Sequence, residues 1–345
     1  MSEKSKLLEV SHLSVEFETF GGTVRAVRDV SFQLERGETL AIVGESGCGK
    51  SVTAQAVMGL VDMPPGRITA GSAKLSGDEL IGSGIRELNR IRGTGMAMVF
   101  QDPMSSLNPT MRIGDQIAET LIAHNRASRT AAAEEATLLL MQTGITDSEK
   151  RARQYPFELS GGMLQRAMIA MCLAGKPKLL IADEPTTALD VTTQSQVLEL
   201  IRKLQQEHRM GVLLITHDLG VVARMADRVA VMYAGEIIET GSVDDIFYRT
   251  AHPYTLGLRD ALPSPDKPKH RLAAIPGVPP DLFAPPTGCS FAPRCPNTMQ
   301  ICESISPESI ITQTGHSANC WLQHSSAPNS APRIARLQTT SHDVN

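Results

Sequence analysis

The residues with the clearest chemistry form one run near the N-terminus: Gly44, Glu45, Ser46, Gly47, Cys48, Gly49, Lys50 and Ser51. The run lies between an apolar stretch typical of a buried strand, TLAIV, and a stretch with helical periodicity. Glycines at this spacing allow successive backbone N–H groups to face phosphate oxygens, and the N-terminus of the next helix adds its positive dipole end. In this context the pattern predicts a nucleotide site, with Lys50 at the β- and γ-phosphates and Ser51 on Mg²⁺. The alternative is a glycine-rich turn without a ligand, and Cys48 is interpreted as a small residue without a catalytic role.

Two carboxylates form a second candidate group at the end of the apolar strand LLIAD, which covers residues 179–183. Because the carboxyl ends of parallel strands lie at one edge of a sheet, Asp183 and Glu184 are expected beside the glycine-rich loop. Asp183 is then placed to bind Mg²⁺, and Glu184 to accept a proton from an attacking water. Paired acids at a strand end are often merely solvated, but the neighbouring loop favours the catalytic interpretation.

A third motif, LSGGMLQ at residues 159–165, precedes a predicted helix. It resembles the signature of ATP-binding-cassette ATPases, although alone it could be a helix N-cap at Ser160. Further residues match that family in the expected order and resemble its Q-loop, the proline after the catalytic acid, its D-loop and its switch histidine: Gln101, Pro185, Ala188-Leu189-Asp190 and His217. His217 is otherwise a capping or core histidine.

The resemblance covers residues from about 8 to 250 and implies a fold and a set of partners. The fold is α/β, a P-loop nucleotide-binding domain over residues 1–250 with an antiparallel β subdomain and a helical subdomain inserted at about 102–160. It implies a head-to-tail dimer in which the signature of one subunit binds the γ-phosphate held by the other. The roles it implies are catalysis by Glu184, Gln101 and His217, Mg²⁺ binding by Ser51, Gln101 and Asp183, γ-phosphate binding by Ser160, Gly161 and Gly162, and adenine stacking by either Phe17 or Phe20.

The segment from 251 to 325 is Pro-rich and irregular, which indicates a separate C-terminal module. Its motifs HPYT, PGVPPDL and TGCSFAPRC resemble the C-terminal extension of oligopeptide and dipeptide permease ATPases. That resemblance implies peptide import, a second and different ATPase subunit, two transmembrane permease chains and a peptide-binding protein. A nickel or opine importer is the alternative. Residues 326–345 contain too little apolar surface to pack and are predicted to be disordered.

Composition limits the other function classes. The formal net charge of -4 is spread along the chain and gives no general attraction to nucleic acid. The N-terminus lacks a signal-peptide pattern, and no apolar run approaches the roughly 20 residues that span a bilayer, so a peripheral position on the cytoplasmic face of the membrane is expected. A soluble cassette ATPase of translation or DNA repair is the rival, but the chain has neither a second cassette nor a coiled-coil insertion. A regulator without turnover would lack the catalytic acid, and Glu184 is present.

Four of the six cysteines lie close together in the sequence, at Cys289, Cys295, Cys302 and Cys320. Disulfides are not expected in a reducing compartment, and a Pro-rich segment with few core residues favours a metal at such soft ligands. None of the intervals is the close pair typical of a zinc site. The resemblance to peptide-permease ATPases, including Gly315-His316, implies a 4Fe–4S cluster, with zinc as the alternative and free thiols as the third interpretation. Cys172 is assigned to the core. ATP binding at Lys50 is expected to be independent of these cysteines, since the two sites lie in separate modules.

Overall fold

The structure is a computed structural model that describes residues 6–124, 128–187, 189–262, 274–312, 314–327, 334, 335 and 337. Its strands are β1 (Lys6–Thr19), β2 (Gly22–Glu35), β3 (Thr39–Val43), β4 (Gly66–Leu75), β5 (Asp78–Glu79), β6 (Met96–Val99), β7 (Leu179–Asp183), β8 (Gly211–Thr216), β9 (Arg228–Tyr233), β10 (Glu236–Ser242), β11 (Ser309–Ile311) and β12 (Ser317–Asn319). Its α-helices are α1 (Lys50–Met58), α2 (Ile85–Ile91), α3 (Pro103–Ser106), α4 (Ile113–Ala123), α5 (Arg129–Gln142), α6 (Ser148–Ala152), α7 (Gly161–Ala174), α8 (Val191–His208), α9 (Leu219–Met225), α10 (Val243–Tyr248), α11 (Pro253–Asp260) and α12 (Gln300–Ser304). Ala188 and most of the predicted disordered tail lie outside the described residues.

The larger sheet has the strand order β11-β12-β10-β9-β3-β8-β7-β6. Strands β6, β7, β8, β3 and β9 pair in parallel, whereas β10, β12 and β11 pair antiparallel. Every residue of β3, β7 and β8 is buried, because layers cover both faces of the sheet. The parallel arrangement brings the carboxyl ends of β3, β6, β7 and β8 to one edge.

Alternate residues of these strands enter two different hydrophobic cores. In β3, Ala41 and Val43 pack in a core with helices α4, α5, α7 and α8, while Leu40 and Ile42 pack in a second core with α1 and strands β1, β2 and β4. The period of two in a strand sends neighbouring side chains to opposite faces, so one apolar run supplies both cores.

The second core also joins the smaller antiparallel sheet, which has the order β2-β1-β4-β5. Strands β1 and β2 are long and are connected by a tight turn at residues 20 and 21, with Thr19 opposite Gly22. The predicted antiparallel β subdomain is therefore present. Together the two sheets confirm the predicted α/β fold.

The inserted helical segment contains α4 and α5, which pack against each other and against α7. Its core side chains lie on one face of each helix: Ile113, Ile117, Leu121, Ala132, Ala136, Leu139 and Leu140. The apolar faces of α4 and α5 are thus buried against one another, within the region where the resemblance implies a helical subdomain. Among the helices described, none combines the length and the apolar character required to cross a membrane.

The C-terminal extension, residues 251–325, continues the larger sheet. Strand β12 pairs with β10, so Glu239 lies opposite Ala318, and β11 pairs with β12. Tyr254 of α11 and Phe291 are buried together with Tyr233 of β9, with ring centroids 4.5 to 5.4 Å apart. These three rings belong to the same hydrophobic core as Ala41 and Val43 of β3, so the extension is part of that core.

Candidate active site

The glycine-rich loop at residues 44–51 connects the carboxyl end of β3 to α1, as the sequence predicts. Gly49 precedes α1 with φ of 102°, in the left-handed region, and a Cβ there would overlap the carbonyl oxygen of Ala26. A Cβ at Gly44 would likewise overlap the carbonyl oxygen of Met232. Both positions therefore require glycine, because the loop backbone lies directly against neighbouring strands.

Lys50 and Ser51 begin α1 and lie at the centre of the site. The Lys50 side chain is buried, and its Nζ donates to the carbonyl oxygens of Gly44 and Glu45 at 2.9 Å each. Ser51 Oγ donates to Asp183 Oδ1 at 2.9 Å. Burial raises the pKa of Asp183, the charge of Glu184 raises it further, and Ser51 and Lys50 oppose the shift. A hydroxyl and a carboxylate at this distance are the hard oxygen donors that suit Mg²⁺.

Glu184 directly follows β7, and three other side chains contact its carboxylate. Its Oε2 accepts from Gln101 Nε2 at 3.0 Å, and its Oε1 lies 3.2 Å from His217 Nδ1. Thr187 Oγ1 also donates to Oε2, at 2.9 Å. Glu184 has φ of 45°, an unfavourable backbone conformation for a non-glycine residue and one that occurs at functional sites. Three side chains thus fix the carboxylate of Glu184, and the Glu184 side chain is 14% exposed.

Most of these residues line one cavity of about 650 Å³, whereas Asp183 and Thr187 are not among its lining residues. It contains most of the glycine-rich loop together with Gln101, Glu184 and His217. Its other walls include Val24 and Ala26 of β2 and, from the C-terminal part of the chain, Leu258 and Leu282. The cavity combines anion-binding backbone, a buried ammonium group and a fixed carboxylate, which is the set of groups that phosphoryl transfer to water requires.

The signature residues lie elsewhere on the surface. Ser160 is the N-cap residue of α7, but its side chain makes no capping hydrogen bond, so helix capping does not account for the serine. Gly161 is exposed, and none of Ser160, Gly161 and Gly162 lines the cavity. Asp190 of the predicted D-loop caps α8 by accepting from the N–H groups of Thr192 and Thr193. The structure of one chain therefore does not bring the signature to the glycine-rich loop.

The two aromatic candidates for adenine stacking occupy different positions. Phe20 lies in the turn between β1 and β2 and is fully exposed. Phe17 is partly buried on β1 and pairs with Val24, which lines the cavity. Cross-strand partners share a face of the sheet. This placement favours Phe17 over Phe20, and the stacking role stays a prediction.

The C-terminal extension contacts the glycine-rich loop directly, which differs from the separate modules that the sequence predicts. Arg294 donates from Nη1 to Glu45 Oε2 at 2.8 Å and from Nη2 to Glu45 Oε1 at 3.0 Å. The backbone N–H of Glu45 donates to the hydroxyl oxygen of Tyr254 at 3.0 Å. The extension and the glycine-rich loop are therefore in direct contact, because packing of Tyr254 and Arg294 against Tyr233 of β9 brings both residues to the loop. The expectation that ATP binding is independent of the cysteines stays a prediction.

The predicted metal site at the four cysteines is not supported. Burial raises the pKa of Cys289 to about 11, and the nearby thiols of Cys302 and Cys295 contribute to the shift. Burial likewise raises the pKa of Cys320. The thiols are thus near one another, but the described residues contain no group of three or more His, Cys, Asp or Glu side chains placed to hold a metal ion. The sequence associates His316 with the cysteines. In the structure, His316 Nε2 lies 3.0 Å from Glu239 Oε1.

Two protein families match the chain. The family described as ABC transporter matches residues 27–187, and the family described as oligopeptide/dipeptide transporter, C-terminal region, matches residues 238–302. The first match includes the glycine-rich loop, the signature and Glu184. The second includes much of the extension that contacts the loop.

Characterised relatives resemble nearly the whole chain. The dipeptide transport ATP-binding protein DppD of Bacillus subtilis is 52% identical over 318 residues, which is 92% of this chain and 95% of the relative. The oligopeptide transport ATP-binding protein OppD of Salmonella typhimurium is 51% identical over 301 residues, covering 87% of this chain and 89% of the relative.

Solved structures show the same cassette fold. The dimeric structure of MJ0796, a bacterial ABC transporter cassette, has a TM-score of 0.62 and 27% identity and covers 69% of this chain and 99% of that protein. The cbiO1 protein of Clostridium perfringens, part of the ABC transporter complex cbiONQ, has a TM-score of 0.59 at 27% identity, covering 70% and 91% of the two chains. The chain therefore belongs to the ATP-binding-cassette ATPases of transporters and, within them, to the family of oligopeptide and dipeptide transport ATP-binding proteins.

Proposed function

We propose that this chain hydrolyses ATP to drive the import of dipeptides or oligopeptides through a membrane-embedded permease. The observation that carries the proposal is the fixed carboxylate of Glu184, held by Gln101, Thr187 and His217 beside the buried Lys50 and the Ser51–Asp183 pair. The substrate class is supported by the relatives, whose names specify dipeptide or oligopeptide transport.

The residues of the cavity divide the chemistry among them. Lys50 and the backbone N–H groups of the loop bind the phosphates, because a desolvated ammonium group and oriented amides stabilise concentrated negative charge. Ser51 and Asp183 would hold Mg²⁺, which neutralises phosphate charge when bound, and Gln101 is the further ligand that the resemblance implies. Glu184 accepts the proton of the attacking water, and His217 positions that carboxylate and contacts the γ-phosphate.

We propose further that hydrolysis requires a second ATPase subunit. The signature residues Ser160, Gly161 and Gly162 are exposed or partly exposed at the start of α7 and do not reach the cavity of their own chain. A helix N-terminus with free N–H groups binds anions, so the signature is suited to the γ-phosphate held by a partner. The proposed assembly contains two different ATPase chains at the cytoplasmic face of the membrane, two permease chains and a peptide-binding protein.

Uptake by the reconstituted assembly tests the substrate class. Proteoliposomes that contain the two permeases and both ATPase subunits should accumulate labelled dipeptides or oligopeptides only when MgATP and the binding protein are supplied. Nickel ions and opines serve as competing substrates in the same assay. ATP-dependent accumulation of either one, without accumulation of peptide, would replace the proposed substrate class and leave the ATPase function intact.

We assign no step of the reaction to the four cysteines. Their donor chemistry suits a soft metal, but their placement among the described residues does not form a metal site. Purification without oxygen, followed by iron, sulfide and zinc analysis, tests the 4Fe–4S cluster and the zinc alternative that the sequence predicts. Stoichiometric iron and sulfide would support the cluster, zinc alone would support the alternative, and metal-free protein would exclude both.

A further inference from the structure

Glu45 of the glycine-rich loop is held at two points by the C-terminal extension. Its backbone N–H donates to Tyr254 Oη at 3.0 Å, and both of its carboxylate oxygens accept from Arg294 at 2.8 and 3.0 Å. The side chain of Arg294 is 4% exposed, whereas that of Glu45 is 26% exposed. Paired N–H groups on one carboxylate fix both the distance and the orientation of the partner.

The guanidinium group of Arg294 also makes hydrogen bonds to residues other than Glu45. Its Nε donates to the carbonyl oxygen of Pro276 at 2.9 Å, and its Nη1 also donates to Tyr233 Oη at 3.3 Å. Tyr233 ends β9, the strand beside β3 in the central sheet. A buried side chain with donors used in several directions cannot move without losing hydrogen bonds, so Arg294 is a rigid point of attachment for Glu45.

The contact acts on the nucleotide site through Lys50. The carbonyl oxygen of Glu45 accepts from Lys50 Nζ at 2.9 Å, so the backbone of Glu45 is hydrogen-bonded to the side chain of Lys50. Glu45 is also one of the residues that line the cavity, and the negative charge of its carboxylate, if unpaired, would repel a triphosphate bound there. Arg294 neutralises that charge and holds the loop at the same time.

We propose that Arg294 is a positioning residue of the nucleotide site, which holds Glu45 and thereby keeps the glycine-rich loop in the conformation that binds MgATP. Tyr254 supports the same loop residue through its hydroxyl group. The inference deepens the proposed ATPase function and rests on it, but it is independent of which substrate the transporter carries. It assigns to the extension a role in ATP binding.

Equilibrium binding of MgATP to the purified full-length chain tests the role. The variants are Arg294→Met, Glu45→Gln and the double variant, with Arg294→Lys as the conservative replacement. Ser317→Ala is the matched control, because it removes the 2.7 Å hydrogen bond between Ser317 Oγ and Thr240 Oγ1, which also joins the extension to the sheet. Urea unfolding of every variant reports the folded fraction.

Arg294→Met should raise the Kd for MgATP on the order of tenfold, since contacting groups in one network commonly couple by this amount. In the Glu45→Gln background the same replacement should raise the Kd by less than about threefold, because the carboxylate that Arg294 neutralises is gone. Arg294→Lys should restore part of the affinity, and Ser317→Ala should bind MgATP like the wild type. A general loss of packing would not produce this dependence on Glu45.

Two results would overturn the proposal. Folded Arg294→Met with wild-type affinity would remove the positioning role, as would an equal loss in the wild-type and Glu45→Gln backgrounds. If Arg294→Met does not fold, Tyr254→Phe replaces it, since this change removes only the hydroxyl group that accepts from the Glu45 N–H. Tyr254→Phe should raise the Kd severalfold, and an unchanged Kd would again reject the role. A wild-type chain that binds no MgATP would reject the ATPase function itself.

Discussion

We predict that His252 makes the docking of the C-terminal extension sensitive to acid. Its side chain is 1% exposed, and its Nδ1 accepts from the backbone N–H of Tyr254 at 3.1 Å, which caps the start of α11. Burial lowers the pKa of His252 from 6.5 to about 3. The imidazole is therefore neutral in the folded chain across the physiological range, and its protonation would remove the acceptor that caps α11.

The sign of the pH effect follows from these two pKa values. Below pH 6.5 the unfolded chain binds a proton at His252 that the folded chain does not bind. The free energy of unfolding therefore decreases as the pH is lowered from 6.5, until the folded pKa of about 3 is reached. The free energy of unfolding should fall by about 2 kcal/mol between about pH 7 and about pH 5 through this residue. His252→Asn retains a capping acceptor and removes the titration.

Urea unfolding followed by the fluorescence of Trp321 measures this effect. Trp321 is the only tryptophan of the chain and lies in the extension, so its signal reports the segment in question. The loss of stability from about pH 7 to about pH 5 should be about 2 kcal/mol smaller in His252→Asn than in the wild type. Carboxylates titrate in both proteins and cancel in the comparison. An equal loss in the two proteins would refute the argument from burial.

Three further outcomes are expected at the nucleotide site. Lys50→Ala should abolish most MgATP binding by the isolated subunit. Ser160→Ala should leave that binding unchanged and impair hydrolysis in the assembly. Equal losses of MgATP binding in the two variants would show that the signature acts within its own chain. Thr187→Ala should lower kcat about tenfold or less with little change in KM, because it removes one hydrogen bond to Glu184; a change in KM alone would indicate a role in binding. Asp183→Asn should raise the Mg²⁺ concentration for half-maximal hydrolysis, measured by Mg²⁺ titration, and an unchanged value would exclude Asp183 as a ligand.

Much of the site could be predicted from the sequence because its chemistry depends on short local patterns. Each of these groups lies at the carboxyl end of a buried strand: the glycine-rich loop after β3, Asp183 and Glu184 at the end of β7, Gln101 after β6 and His217 after β8. The carboxyl ends of neighbouring parallel strands meet at one edge, so correct strands place these residues correctly. Gln101 and His217 accordingly both lie within hydrogen-bond distance of the Glu184 carboxylate.

The contacts of the extension could not be predicted in this way. Glu45 and Arg294 are separated by 249 positions, and no local pattern indicates that they pair. The contact depends on how Tyr254 and Phe291 pack against Tyr233, which is a property of the folded core. For the cysteines, clustering in sequence predicted thiols that lie near one another, but it did not predict the geometry that a metal requires, and the described residues form no group placed to hold a metal ion.

Thr187 shows a third kind of limit. It donates to Glu184 at 2.9 Å, but a threonine three residues after an acid has no distinctive sequence signal. The left-handed backbone of Glu184, with φ of 45°, turns the chain so that Thr187 faces its carboxylate. Such a turn is defined by tertiary packing, and only the structure identifies the residue.

Glu184 is proposed as the base for the ATP hydrolysis that drives transport. The most direct measurement compares MgATP binding, ATP turnover and peptide uptake for wild type and Glu184→Gln in the reconstituted assembly. The amide retains the shape of the carboxylate but is a poor proton acceptor, so binding should be unchanged while turnover and uptake fall by at least about a hundredfold. Wild-type turnover and uptake in Glu184→Gln would contradict the claim.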